Sequence, residues 1–356
     1  MSIMNYGGIE TLLMNLYRNI NRESVQFDFL VTREPKGAYD DEIVSLGGRI
    51  YNIAAARKVG LYKFREAVNG FFRSHKEYDC VHCHMNSWSG FFLPIAKKNG
   101  VKVRVAHSHI ANPDYSFGDN LIKGYWKRKI DDNCTHKFAC SKDAGRWLFG
   151  KSSNFCIINN SIDTKLFLYN EFVRSKLRIK YGVDDRFVIG HIGRFNKQKN
   201  HTFLLKVFNE IKSRKENSLL FLVGDGELKQ EIENEAVQLN ISDNIIFAGT
   251  SSKIHELLQL MDVFVFPSLY EGLGIVAIEA QAAGLPCIVS NTVPKEAHIT
   301  DLIKTMALDE TPKAWGDEII KYENFTRESK LKDIIRSGYD IINTAKYLEN
   351  FYLSFI

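Results

Sequence analysis

Between Asp262 and Glu296, two short, unbroken apolar runs flank a single helical pattern, and this constrains the fold more than any other feature. Val263–Phe266 and Cys287–Ser290 carry no alternation of polar and apolar residues, so both predict strands covered on both faces, as in a parallel sheet. Parallel neighbours need a crossover. The chain supplies one in the apolar-periodic helix from Ile275 to Ala283, stopped by Gly284-Leu285-Pro286. Tyr270-Glu271-Gly272-Leu273-Gly274 joins the first strand to that helix. Free backbone N–H groups and the helix dipole at such a helix start favour an anion. Two carboxylates bracket it, Glu271 and Glu279, with seven residues between them. Carboxylates cannot bind phosphate. They accept hydrogen bonds, and the fitting donors are sugar hydroxyls.

The same alternation runs through most of the chain. The pattern predicts a helix over Thr11–Ile20, strands over Val25–Thr32 and Arg49–Ile53, and a helix from Leu61 to His75. It continues through Cys80–His84, Ser89–Lys98, Val101–His107, a helix over Tyr115–Asp131, Lys137–Ala139, Lys142–Phe149 and Phe155–Ile158. Asn159–Tyr181 breaks the rhythm and predicts an interdomain segment. A second series follows: Phe187–Ile192, Thr202–Lys215, Ser218–Val223, Glu227–Leu239, Ile245–Ala248 and Lys253–Leu260, then the opening unit and helices over Pro312–Phe325 and Arg327–Phe355. With 356 residues the chain is too long for one core. The expected domains are 1–160, 161–335 and a terminal helical piece, 336–356, crossing back to the first domain. Ligands of such sheets sit at the carboxyl ends of the strands.

Composition narrows the class. No apolar run approaches the roughly 18 residues of a membrane span, and no signal peptide opens the chain, so a cytoplasmic protein is expected. Cys80 and Cys83 have the C-x-x-C spacing, but on a strand they point to opposite faces and no second pair completes a zinc site. Residues 1–160 hold 23 Lys and Arg against 15 Asp and Glu, while the remainder holds 24 against 27. A basic first half suggests an anionic neighbour. That neighbour could be nucleic acid or a membrane surface, and since no nucleic-acid reader motif accompanies the charge, nucleic acid is not expected.

Gly193-Arg194-Phe195-Asn196-Lys197-Gln198-Lys199-Asn200 follows the first strand of the second series. Arg194 offers a fork for phosphate oxygens and Lys199 a point charge, together suited to a diphosphate. Gly224-Asp225-Gly226-Glu227 makes a tight turn, weak as a dinucleotide motif because Lys229 stands where a third glycine should fall. Gly7-Gly8 before a helix could cradle phosphate or be an ordinary turn. His107 and His109 end a strand aimed at the ligand edge; His82, His84 and His136 read as hydrogen-bonded structural residues. No Asp-x-Asp, G-x-S-x-G or G-x-x-x-x-G-K-[ST] occurs.

GGIE, AHSH, NNSIDTKLF, GRFNKQKN, VGDGE and FPSLYEGLGIVAIEAQAAGLP together resemble the family-4 retaining glycosyltransferases of GT-B fold, and most of all the bacterial members that build capsular and exopolysaccharides. The resemblance implies an α/β protein of two Rossmann-like domains, their parallel sheets facing across a cleft. It implies transfer of a sugar from a nucleotide-diphosphate sugar, a UDP-sugar favoured, to a glycan or lipid-linked acceptor. Arg194 and Lys199 would hold the diphosphate, with Gly193 and Gly224 in the loops around it. Glu271 would contact the sugar beside the backbone of Gly272, Leu273 and Gly274, and Glu279 the ribose. The eight-residue offset, roughly 12 Å of helix rise, is about the reach between them. His107 would lie near the donor sugar and Gly8 near the phosphates. No metal or other cofactor is implied. A nucleotide-sugar epimerase or a catalytically silent scaffold in a polysaccharide assembly complex are the alternatives.

One departure stands out. Family members open with an apolar strand before the glycine loop, and here only MSIMNY precedes Gly7. The expectation is a first sheet with a gap, a strand length of about five to six residues or more lying upstream of a late start or lost from a truncated gene. Separately, Arg57-Lys58, Leu61–Arg65, Phe71–Arg73 and Tyr125–Lys129 interleave basic and aromatic residues, as interfacial surfaces do and as solvated helices with a buried aromatic stripe also do.

Overall fold

The computed structural model describes residues 1–110 and 117–355. The chain packs as two compact units, Met1–Ile162 with Asp340–Ile356, and Asp163–Tyr339. The first unit contains, in order, α1 (Gly8–Asn19), β1 (Phe29–Val31), α2 (Asp40–Ser45), β2 (Ile50–Asn52), α3 (Ala56–Val59), α4 (Leu61–Ser74), β3 (Cys80–Cys83), α5 (Ser89–Lys98), β4 (Val103–Ser108), α6 (Phe117–Arg128), β5 (His136–Ala139), α7 (Lys142–Phe149) and β6 (Cys156–Ile157). The second contains α8 (Glu171–Tyr181), β7 (Phe187–Ile192), α9 (His201–Lys212), β8 (Ser218–Val223), α10 (Lys229–Gln238), β9 (Ile245–Phe247), α11 (Ile254–Leu260), β10 (Val263–Phe266), α12 (Ile275–Ala282), β11 (Cys287–Ser290), β12 (Ile303–Met306), α13 (Pro312–Ile320) and α14 (Leu331–Arg336). The last helix, α15 (Ile341–Leu353), belongs to the first unit, where Asn21 N–H donates to Glu349 at 3.0 Å.

The second unit is one six-stranded parallel sheet in the order β12-β11-β10-β7-β8-β9. All four residues of β10 and β11 and all six of β8 are buried, which explains their unbroken apolar runs. Leu205 and Phe208 on α9 pack with Ile189 of β7 and Leu220 of β8, each buried side chain contributing about 2 kcal/mol of apolar transfer. The order reverses between β7 and β10, placing the loops after those strands at the switch point of the sheet.

The first unit is interrupted. β1 and β2 form a two-stranded parallel sheet, and β3-β4-β5-β6 a separate four-stranded one. The strand expected over Val25–Thr32 shrinks to Phe29–Val31 because, among the described residues, β2 is its only strand partner. Cys80 packs with Leu12, Leu16 and Val103 on one face of β3 while Cys83 packs with Phe72 and Phe92 on the other, and all six cysteines are free.

Strands β7, β8, β10 and β11 coincide with their predicted bounds. Sequence reading missed β12, an edge strand whose central Lys304 and Thr305 face solvent and leave too short an apolar signal. The predicted helix over Tyr115–Asp131 is α6; residues 115 and 116 lie outside the described residues. Among the described residues, no helix is long and apolar enough to cross a membrane.

Candidate active site

β7 and β10 are paired neighbours, and their outgoing loops meet. Leu269 N–H donates to Gln198 O at 2.8 Å, Gln198 Nε2 to Tyr270 O at 2.9 Å, and Asn200 Nδ2 to Pro267 O at 3.1 Å. From below, Ser290 Oγ and Thr292 Oγ1 both donate to Ser268 O, at 2.7 and 2.6 Å. This lattice delivers Lys199 Nζ to Glu271 Oε1 at 2.6 Å, with side chains only 16% and 7% exposed. The same ammonium lies 4.5 Å from the centroid of Phe266. A half-dehydrated ammonium between a carboxylate and an aromatic face is held in place yet charged.

The glycines of both motifs have steric causes. Gly274 takes φ +78° at the N-terminus of α12, and a Cβ there would come 3.2 Å from Phe266. No side chain caps this helix; Ala277 N–H turns back to Gly274 O at 2.9 Å, and among the described residues the N–H groups of Ile275 and Val276 stay free. A Cβ on Gly224 (φ +145°) would sit 2.1 Å from Gly193 O, and one on Gly226 2.4 Å from Phe195 O. The two loops therefore touch backbone to backbone. A Cβ on Gly193 would press on the Lys199 side chain at 3.1 Å. Gly8 starts α1 in the first unit with open space where its Cβ would be.

Glu279 stands one turn into α12, and among the described residues no hydrogen-bond or ion-pair partner meets its carboxyl. Burial without a partner pushes its pKa up to about 7. A group in that state gains from hydroxyl donors, which would favour the ionised form.

Arg194 is not brought to Lys199. Its guanidinium is 70% exposed and pairs with Glu227 at 3.1 Å, because Phe195 N–H bonds Asp225 O and draws the start of the loop toward the Gly224–Glu227 turn. Two histidines that sequence reading passed over lie behind Lys199. His191 is fully buried with Nδ1 2.8 Å from Val265 O, and His201 packs on it and on Phe195. Burial, with Lys199 nearby, lowers both pKa values, to about 4 and about 2. His191 sits two residues before Gly193, the one sequence clue to its place.

In the first unit, His107 is fully buried, not presented on an open edge as the sequence suggests. Period-two alternation aims His82 on β3 and His84 just past it, and His107 on β4 and His109 just past it, at one sheet face, where the rings stack. His82 Nε2 lies 3.0 Å from His107 Nδ1, His84 Nδ1 2.8 Å from His109 Nε2, and Tyr352 Oη 2.6 Å from His82 Nδ1. His82 and His84 thus behave as hydrogen-bonded core residues. Burial depresses all four pKa values, that of His82 to about 3 and that of His109 to about 4. Among the described residues, His82, His84 and His107 are the one set of three His, Cys, Asp or Glu side chains whose ligating atoms gather within 4.8 Å.

Two family models match: "Glycosyltransferase Family 4" over residues 6–166 and "Glycosyl transferases group 1" over residues 173–340. EpsF of Bacillus subtilis (strain 168), named as a glycosyltransferase, is 38% identical over 99% of this chain and 94% of its own. The Staphylococcus aureus capsular polysaccharide biosynthesis glycosyltransferase CapH is 25% identical over 99% and 97%. The Escherichia coli UDP-Gal:alpha-D-GlcNAc-diphosphoundecaprenol alpha-1,3-galactosyltransferase is 25% identical over 78% of each chain. The crystal structure of Anabaena HepE in complex with UDP and glucose shares the fold, with TM-score 0.81 at 18% identity over 99% of this chain and 98% of that one.

Proposed function

The chain belongs to the family-4 glycosyltransferases of GT-B fold, and on that premise we propose that it moves a sugar, with retention at the anomeric carbon, from a UDP-sugar to a lipid-linked glycan acceptor in surface polysaccharide synthesis. The observation that carries this reading is the Lys199–Glu271 pair, at the switch point of the sheet and beside the uncapped start of α12. Lys199 supplies positive charge where a leaving diphosphate gains negative charge, and the free N–H groups of α12 add to it. Arg194, exposed on a loop held by backbone bonds, swings from Glu227 to a terminal phosphate oxygen. Glu271, released from Lys199 as the ammonium turns to phosphate, accepts from hydroxyls of the sugar. Glu279 accepts from the ribose, losing its proton as it does so. Catalysis here is electrostatic, with charge supplied by these side chains and no metal required.

The donor class draws support from HepE, crystallised with UDP and glucose, and the acceptor class from the E. coli relative named for a diphosphoundecaprenol substrate. UDP release from a panel of UDP-sugars, with and without a lipid-diphosphate acceptor and in the presence of chelator, tests the whole reading. Turnover should survive chelation and fall by about 10²- to 10³-fold in Lys199→Ala and Glu271→Ala. No UDP release from any donor would sink it and favour the scaffold.

A peripheral membrane position is the second element of the reading. Tyr62 is 78% exposed and Leu61 47% at the start of α4, beside Arg57, Lys58 and Lys63; Ile122 and Tyr125 are also exposed on α6. Exposed apolar and basic residues together suit an anionic bilayer. Co-sedimentation with phosphatidylglycerol vesicles at low salt should occur and should weaken in Leu61→Ser/Tyr62→Ser.

A further inference from the structure

His82-Cys83-His84 and His107-Ser108-His109 are two H-x-H steps at the ends of neighbouring parallel strands, β3 and β4. The register that pairs Cys83 with Ala106 sets His84 opposite His107. The four rings form a block, with centroids 4.1 Å apart along each chain segment and 5.0 to 5.1 Å apart between them. One ring nitrogen from each of His82, His84 and His107 lies within 4.8 Å of the others. Imidazoles around a tetrahedral zinc-type ion, with metal–nitrogen bonds of about 2.0 Å, hold their nitrogens about 3.3 Å apart. His82 Nε2 and His107 Nδ1, 3.0 Å apart, already stand near that spacing, and His84 closes on them by turning its ring. As packing, the block is poorly satisfied. His107 is fully buried, yet among the described residues its Nε2 has no hydrogen-bond partner. Apolar rings would fill the same space without that cost. What imidazoles have and apolar rings lack is nitrogen lone pairs turned toward one another.

We propose that His82, His84 and His107 bind a divalent first-row transition ion of the Zn²⁺ type, with Tyr352 positioning His82 from behind. Three imidazole donors and no oxygen donor suit Zn²⁺, Co²⁺, Ni²⁺ or Cu²⁺, and not Mg²⁺ or Ca²⁺, which take oxygen ligands. Tyr352 Oη meets His82 Nδ1 at 2.6 Å, so accepting the Nδ1 hydrogen leaves Nε2 bare for the ion. His107 keeps its own hydrogen on Nε2 and offers Nδ1. The ion thus replaces the hydrogen bond between these two rings, and neither ring loses its proton. A fourth tetrahedral position remains for water. His82 is partly exposed and, with His84, lines a cavity of about 340 Å³, which gives the ion a way in. All four side chains belong to the first unit, and the site is independent of the transfer reaction proposed above.

The test uses the full chain without a histidine tag, stripped with chelator and titrated with Zn²⁺ by calorimetry and with Co²⁺ by visible absorption. One ion should bind per chain, Co²⁺ should give the intense spectrum of tetrahedral coordination, and Mg²⁺ should give no binding. Zn²⁺ at about 100 times its Kd should raise Tm by about 3 °C or more. His84→Gln and His107→Gln should each weaken binding by about a hundredfold or more, and Tyr352→Phe, which keeps every ring, by about tenfold. His136→Gln, outside the block, should bind as the parent does. Where a glutamine variant fails to fold, Tyr352→Phe decides. No binding of Zn²⁺ or Co²⁺, or equal binding by the parent and every folded variant, would overturn the site, the second result placing the ion on other side chains.

Discussion

Lys199 and Glu271 are joined at 2.6 Å although 72 residues separate them, and both side chains are largely shielded from water. Breaking such a pair from one side leaves an uncompensated charge. Lys199→Met and Glu271→Leu should each cost about 3 to 5 kcal/mol of stability, while the double substitution should recover most of it. Activity should stay lost in all three. Urea unfolding beside UDP release separates the two effects, and a double mutant no more stable than the singles would overturn the argument that an uncompensated charge causes the loss.

Glu279 should make stability fall with rising pH. Its pKa is about 7 in the folded chain against an ordinary 4.5, so its contribution is fully present below 4.5 and is lost as pH rises through 7. The loss amounts to about 3 kcal/mol relative to Glu279→Gln. Thermal melts of both proteins from pH 4.5 to 8 check this. If hydroxyl donors of a nucleotide reach Glu279, UDP binding at pH 6.5 should also release up to about three-quarters of a proton, seen by calorimetry in two buffers of different ionisation heat.

The stacked histidines act in the opposite direction. His82, His84, His107 and His109 are held neutral by burial, so their contribution is present above an unfolded pKa of 6.5 and is lost as pH falls, through about 4 for His109 and about 3 for His82. Unfolding at pH 5 should take up several protons, and the urea midpoint should drop steeply between pH 6.5 and 5. A flat midpoint over that range would contradict the buried neutral array.

Arg194 predicts a clean separation of stability from activity. Its pair with Glu227 is solvent-exposed, so Arg194→Ala should shift stability by less than about 0.5 kcal/mol. UDP release should nevertheless fall by about tenfold or more if the guanidinium turns to the diphosphate.

Gly224→Ala should do what Arg194→Ala does not. With φ at +145° and Gly193 O lying 2.1 Å from the added Cβ, the turn must shift, at a cost of about 1 to 3 kcal/mol. Because that shift moves Gly193 and the loop to Lys199, UDP release should fall together with Tm.

Local pattern alone determined the strands whose two faces are both covered. β7, β8, β10 and β11 are mostly apolar runs, broken in β7 by His191, because parallel strands sandwiched between helices have no solvent side, and that leaves a signal in consecutive residues. The residue types at strand ends, Lys199, Glu271, Glu279 and the glycines, were legible for the same reason: each sits at a fixed step after a strand. What each side chain meets was not legible. Arg194 and Lys199 are five residues apart, yet one faces solvent and Glu227 while the other is enclosed with Glu271. The stacking of His82 with His107, the neutral pair His191 and His201 behind Lys199, and the elevated pKa of Glu279 arise from groups distant in sequence meeting where water is excluded. Burial and register are properties of the assembled sheet, and only the tertiary structure decided them.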